Sequence, residues 1–239
     1  GWAELDLGNI ELSIELLIES DRAQITSLGG KGYTRIWTLY YLGWAKHSLG
    51  EYEKSLKYFR LSKRIAENIF GMWGSNYGFP AYGEAFALMN TGKYEQAKNI
   101  GLHLRQIILK NDDIRQSLGP TAEWVLARSY SSLREYEKSF EIYKSLVSKS
   151  DDNAVWLKPV VQEYSLVLFK LGRKEEAVKK LEELVGNLKV TDPILTQLEI
   201  KSNLALLHMV KGGDNNLVNR INVIQRMQTE AIESLFKFT

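Results

Sequence analysis

The chain contains no cysteine. That removes disulfides, thiolate zinc sites and a cysteine nucleophile together, and it fits a reducing, cytoplasmic setting. Histidine is nearly as scarce: His47, His103 and His208 lie far apart, with no metal-ligand spacing among them. No metal or cofactor is therefore expected. Proline occurs only four times, which leaves long stretches free to form helices. No apolar run approaches the roughly 20 residues that span a bilayer, and nothing at the start resembles a secretory signal. Lys and Arg total 31 against 29 Asp and Glu, and the signs are interleaved. With no basic block, neither nucleic acid nor a membrane is expected as a partner.

Catalytic signatures are also missing. Gly29-Gly30-Lys31-Gly32 lacks the spacing and the Ser/Thr of a phosphate-binding loop, and no strand precedes it. There is no Gly-x-Ser-x-Gly elbow. The pairs Asp112-Asp113 and Asp151-Asp152 lie in polar stretches beside helix starts, where capping chemistry accounts for them. The expectation is a protein that is not an enzyme.

What the chain does contain is repetition. Gly43-Trp44-Ala45 followed by Leu49-Gly50-Glu51-Tyr52-Glu53 matches Gly1-Trp2-Ala3 followed by Leu7-Gly8-Asn9-Ile10-Glu11, 42 residues earlier. The same step leads to Gly92-Lys93-Tyr94-Glu95-Gln96-Ala97 and then to Arg134-Glu135-Tyr136-Glu137-Lys138-Ser139. Shorter steps reach Gly172 and, more weakly, Gly212. In each unit an apolar-periodic helix ends at a glycine, which can adopt the left-handed conformation, with Arg134 in its place in the fourth. A second helix then starts with an aromatic and a small residue three positions on: Tyr52 and Ser55, Tyr94 and Ala97, Tyr136 and Ser139. The small residue allows close backbone approach. Clusters at 28–32, 71–76, 110–113 and 149–153 read as loops between units. Leu217, Ile221, Ile224, Met227, Ala231, Ile232 and Leu235 trace a long amphipathic helix. The chain starts inside a repeat and without Met, which reads as an excised piece of a longer protein.

Leu42-Gly43, Gly50-x-Tyr52, Ser55 and Phe59 resemble the tetratricopeptide repeat pattern, as do Leu126-Ala127, Tyr130, Tyr136, Ser139 and Tyr143. The period of about 40 to 42 residues is similar to that of kinesin light chains, of the sensor regions of maltose-activator-type bacterial regulators, and of peptide-pheromone receptors. The resemblance implies an all-α, right-handed superhelical solenoid of about six antiparallel helix pairs. It would be a single domain over residues 1–239.

It further implies that the first helix of each pair lines a concave face. Counting back from the turn residue places Trp37, Tyr40, Trp44 and His47 on that face in the second unit. Phe79, Tyr82, Phe86 and Met89 follow in the third, and Thr121, Trp124, Arg128 and Ser131 in the fourth. Trp2 occupies this row in the first unit; Gln162, Phe169, Ser202 and Met209 continue it in the fifth and sixth. Leu39, Leu42, Tyr52 and Phe59 are the core positions. Two accounts of the aromatic row stand open: a ligand groove, or rings packed on one another inside a tight superhelix. As a groove it suits a peptide or protein partner, with Asn90, Arg128 and Gln162 as polar contacts. A sugar-like or nucleotide-like effector is the alternative. The resemblance also suggests a sensor or interaction region of a larger regulatory or signalling protein. Self-association through exposed solenoid ends is a further expectation.

Overall fold

The computed structural model of the chain describes residues 8–149 and 157–188, together with residues 1, 3, 200, 203 and 204. Among these the secondary structure is helical. The expected turn at Gly212, the C-terminal helix over 217–235, and the row positions Trp2, Ser202 and Met209 lie outside the described residues. The chain divides into two compact units between Glu135 and Tyr136.

The first unit contains α1 (Ile10–Leu28), α2 (Tyr33–Ser48), α3 (Tyr52–Phe70), α4 (Ser75–Asn90), α5 (Tyr94–Lys110), a single 3-10 turn (Asp112–Ile114) and α6 (Arg115–Ser132). The inter-repeat loops are shorter than the sequence clusters suggest. Ser75 and Asn76 already belong to α4, so much of the surplus over a 34-residue repeat has gone into longer helices.

The repeat turn is built the same way each time. After α2, Gly50 N–H donates to the carbonyl of His47, and Glu51 N–H to that of Lys46. After α4, Gly92 donates to Met89 and Lys93 to Leu88; after α6, Arg134 donates to Ser131 and Glu135 to Tyr130. This paired bonding closes the last helical carbonyls and requires a left-handed residue at its centre. Gly50 and Gly92 have φ of 73° and 75°, and Arg134 has φ 64°. Arg134 is the one non-glycine residue with positive φ among the described residues, so the geometry of the turn is kept where its preferred residue is not.

Each second helix carries a glutamate in its first turn, Glu11, Glu53 and Glu95 at the same repeat position, where the helix N-terminus favours negative charge. Along α3 the buried residues are Ser55, Leu56, Phe59, Ser62, Ile65 and Ala66, a stripe of helical period facing the core. The small positions Ser55 and Ala97 have no exposed surface, which is what close helix approach requires. Of the expected core positions, Leu39, Leu42 and Phe59 are fully buried. Tyr52 is half-buried. The helix α4 is buried on nearly every side from Tyr77 to Met89, because α2, α3, α5 and α6 all pack on it.

Neighbouring helices run antiparallel, so the unit has two edges. The tight turns at Gly50, Gly92 and Arg134 lie along one; there Lys93 Nζ reaches Glu53 Oε1 across repeats at 3.0 Å. The longer connections form the other. There the Tyr33 ring at the start of α2 meets Phe70 at the end of α3, with centroids 5.7 Å apart.

The second unit contains α7 (Tyr136–Lys149), α8 (Leu157–Lys170) and α9 (Lys174–Gly186). The α8–α9 turn repeats the same bonding, with Gly172 at φ 80° donating to Phe169 and Arg173 to Leu168. Tyr143 is fully buried, and its hydroxyl donates to Glu163 Oε2 at 2.6 Å. The Arg173 guanidinium lies over the Phe140 ring, 4.5 Å from its centroid.

A left-handed conformation costs an L-residue roughly 1 to 2 kcal/mol, partly offset by the unfolded-state entropy that glycine adds. Arg134→Gly is therefore expected to stabilise the protein by about 0.5 to 1 kcal/mol, raising the melting temperature by a few degrees. Gly92→Ala is expected to lower it. Calorimetry on both variants checks the pair, and an Arg134→Gly variant that melts below wild type would refute this account of the turn.

Candidate functional site

The site residues sit on α2, α4 and α6, the first helices of successive pairs. Residues four apart on a helix share a face, so Tyr40 and Trp44 stack along α2, and Tyr82 and Phe86 along α4. Side by side, these helices set the rings into one connected ladder. Trp37 meets Tyr40 at 5.7 Å and Phe79 at 5.9 Å between centroids. Tyr40 meets Trp44 at 6.2 Å. Trp44 then contacts Tyr82 at 5.7 Å and Phe86 at 5.9 Å. Phe86 passes the chain of contacts to Trp124 on α6 at 5.1 Å. Most of these pairs are tilted or edge-on, the arrangement that ring quadrupoles favour.

The rings differ in exposure. Tyr82, Phe86 and Met89 are buried, at 9%, 6% and 5% of their surface. Trp37, Tyr40, Trp44, Phe79 and Trp124 are half-buried, each with part of its ring towards solvent. The row is thus packed on its inner side and open on its outer side. Beneath it lies Phe59, 5.3 Å from Trp44 and 5.8 Å from Tyr40. Burial pushes the Tyr40 hydroxyl up to about 12, which keeps it a neutral donor and acceptor at physiological pH.

One end of the ladder is polar. Asn90 Nδ2 donates to His47 Nε2 at 2.8 Å, and its other amide hydrogen serves the Phe86 carbonyl at 3.1 Å. His47 also packs edge-on against Trp44 and Tyr52. Burial first, and then the Arg128 cation, hold its pKa below the ordinary histidine value. The ring is therefore neutral and accepts at Nε2. The Arg128 guanidinium lies over the Phe86 ring at 5.4 Å from its centroid. Asn90, His47 and Arg128 thus gather donors and charge beside an apolar wall.

Nine of the ten expected site residues, all but Gln162, fall in this one unit. Gln162 belongs to α8 in the second unit, where it is buried at 4% exposure. Two features went unread in the sequence. Glu84 lies inside the apolar run of α4, only 6% of its side chain exposed, held by Arg60 at 2.9 Å and by Lys63. A lone glutamate in the otherwise apolar or small run from Tyr77 to Met89 was the available signal. The prolines Pro80, Pro120 and Pro159, one near the start of each of α4, α6 and α8, were the other. Among the described residues, no group of three or more metal-ligating side chains comes together.

The tetratricopeptide repeat family matches residues 38–69, which hold most of α2 and α3. Among solved structures, the crystal structure of the Podosopora anserina putative kinesin light chain nearly identical TPR-like repeats shares 15% identity at a TM-score of 0.62; the match covers 84% of this chain and 98% of that one. BtubC from P. vanneervenii shares 14% identity at a TM-score of 0.65, covering 95% and 91% of the two chains. The chain folds as a tetratricopeptide-like repeat protein. A MamA double mutant is also similar, with 16% identity, a TM-score of 0.52, and coverage of 77% and 88%. No curated protein sequence matches.

Position in the ladder separates stability from access in this repeat protein. Phe86→Ala removes a buried ring that touches four other aromatic or cationic groups, and is expected to cost roughly 3 to 5 kcal/mol. Trp37→Ala, at the open end with two ring neighbours, is expected to cost clearly less. Chemical denaturation of both variants checks the order, and equal losses would refute it. His47 provides a second check. Its lowered pKa means the folded state favours the neutral ring, so stability is level above the unfolded value of about 6.5 and falls as pH drops through it. His47→Gln should flatten that part of the melting-temperature profile; an unchanged slope from about pH 7 down to about pH 5 would show that another group governs it.

Proposed function

We propose that this chain is a non-catalytic scaffold that docks a peptide or protein partner along the half-exposed aromatic row of α2, α4 and α6. The observation that carries this reading is the division of each ring between a buried and an open side. Rings that served packing alone would be covered, whereas Trp37, Tyr40, Trp44, Phe79 and Trp124 keep part of their surface in solvent. Tryptophan and tyrosine are the residues that most often anchor protein interfaces, since they bury large area at little cost in side-chain entropy. An apolar side chain of the partner would lie on the rings. A backbone carbonyl or carboxylate would meet Arg128 at the polar end.

The repeat fold supports the same reading, since such scaffolds generally act through protein partners. We further assign the chain to a larger regulatory or signalling protein, as its sensor or interaction region, and to the cytoplasm. The first of these rests on the long repeat period and the second on the lack of cysteine.

The test is selection of binders from a random peptide display library with the full chain, followed by measurement on variants. Peptides that bind wild type are expected to lose about tenfold or more in affinity, roughly 1.4 kcal/mol, against Trp37→Ala and Trp124→Ala. Selected peptides that bind both variants as well as wild type would place the partner surface elsewhere.

A further inference from the structure

Among the described residues, seven of the eleven exposed large apolar residues, Ile69 among them, gather on one edge of the first unit, while Leu12, Leu16, Leu49 and Leu102 lie away from it. Ile25 lies in the last turn of α1, Phe70 ends α3 and Leu109 lies near the end of α5; all three are exposed. Tyr33 starts α2, and Met72 and Trp73 occupy the α3–α4 connection. Because α1, α3 and α5 run the same way, their C-termini and the connections that follow share the edge opposite the tight repeat turns. The contacts confirm the continuity. Tyr33 touches Phe70, and Trp73 touches His103 on α5 at 5.5 Å between centroids. Trp73 is 43% exposed, Phe70 44% and Leu109 70%.

The apolar edge is bordered by cations. The Lys110 ammonium sits 3.9 Å from the centroid of the Trp73 ring. Lys31 and Arg64, also exposed, lie by the α1–α2 connection and on the last turns of α3. None of these three takes part in an ion pair among the described residues. The facing carboxylates are fewer: Glu67 on α3, and Asp112, which is already paired with Arg115 at 2.5 Å.

We infer that this edge docks onto an anionic lipid surface, with Phe70, Met72 and Trp73 entering the headgroup region and Lys31, Arg64 and Lys110 meeting lipid phosphates and carboxylates. Three features favour a bilayer over a protein. The apolar groups are side chains at helix ends and in a short connection between Gly71 and Gly74, the parts of the unit that reach furthest along the helix axes. Tryptophan and tyrosine with lysine beside them are the combination that settles at a membrane–water interface, ring in the apolar boundary and ammonium among headgroups. Lys31, Arg64 and Lys110 outnumber the carboxylates Glu67 and Asp112 along the edge, and basic residues close to an anionic bilayer are attracted to it. The edge is separate from the aromatic row, so the protein can hold a partner and a surface together. A search for Lys/Arg blocks misses such a site, because its cations come from three different helices and connections.

The experiment is cosedimentation of the full chain with vesicles of phosphatidylcholine alone and of phosphatidylcholine mixed with phosphatidylserine. Binding to the mixed vesicles only is expected, reduced about tenfold or more by Met72→Ser with Trp73→Ser, and separately by Lys110→Glu. All three residues are exposed, so circular dichroism melts of the variants should match wild type. Absence of binding to either vesicle overturns the proposal. So does binding that the variants leave unchanged, which would be charge attraction at another surface. Concentration-dependent self-association that the double variant abolishes, without vesicle binding, would also overturn it and assign the edge to a second copy of the chain.

Discussion

The Phe59 ring holds the first unit together. It projects from α3 into the crossing of α2 and α4, and it fills space that ordinary side chains would occupy on both. A Cβ at Gly43 would lie 2.6 Å from its Cε1, and one at Gly83 would lie closer still. Overpacking of that kind typically costs about 1 to 3 kcal/mol, so the two glycines and the phenylalanine form one constraint. Three helices from two repeats meet on a single side chain. That meeting fixes the spacing of α2 and α4, and with it the distance between the ring columns they carry. Trp44 and Tyr40 rest directly on Phe59, so the candidate binding face stands on this contact. Gly101 plays a related part further along, where a Cβ would lie 2.9 Å from Leu126 at the α5–α6 crossing.

The contrast between what was legible in the sequence and what was not follows from the range of the interactions involved. The turns were legible because they are local. A left-handed residue, an aromatic and a small residue within six positions decide where one helix stops and the next begins. Even Arg134 could be placed, since the flanking residues keep the register when the glycine is lost. Ring pairings are another matter. The 3.6-residue period shows that Tyr40 and Trp44 share a face, but it does not show whether the neighbouring helix covers that face. Phe86 and Trp44 occupy equivalent positions in successive repeats, yet Phe86 lies in the middle of the stack and is buried, while Trp44 keeps an open side. Burial of a ring in a solenoid depends on how many repeats flank it, and that information is not in the repeat itself.

Glu84 illustrates the same limit with charge. Its position in α4 reads as one polar residue in an apolar helix. Only the approach of α3 supplies Arg60 and Lys63, and without them a buried carboxylate would be strongly unfavourable. The pair of cations comes from one helical turn of α3, i and i+3, so both face α4 together. A bridge of this kind resists sliding between neighbouring helices, since a shift by one residue would separate the charges. Phe59 sets how closely α3 and α4 approach. Glu84 sets their register.

These constraints let the proposed binding face coexist with a core in the first unit. A helix-pair solenoid has no deep interior, and a ring long enough to reach the core from α2 also reaches the surface. Its inner edge contributes to stability and its outer edge is available for contact. Covering the outer edges with a partner would remove further apolar surface from water without moving the helices, because their spacing is already set at Phe59. The polar end works in the opposite sense. His47 is held neutral by burial and by Arg128, and its Nε2 is occupied by Asn90. Protonation would remove that acceptor and place two cations together. Acid therefore acts on the one end of the row where charge is gathered and leaves the hydrocarbon contacts as they are, so packing and polar recognition respond to different conditions although they share the same helices.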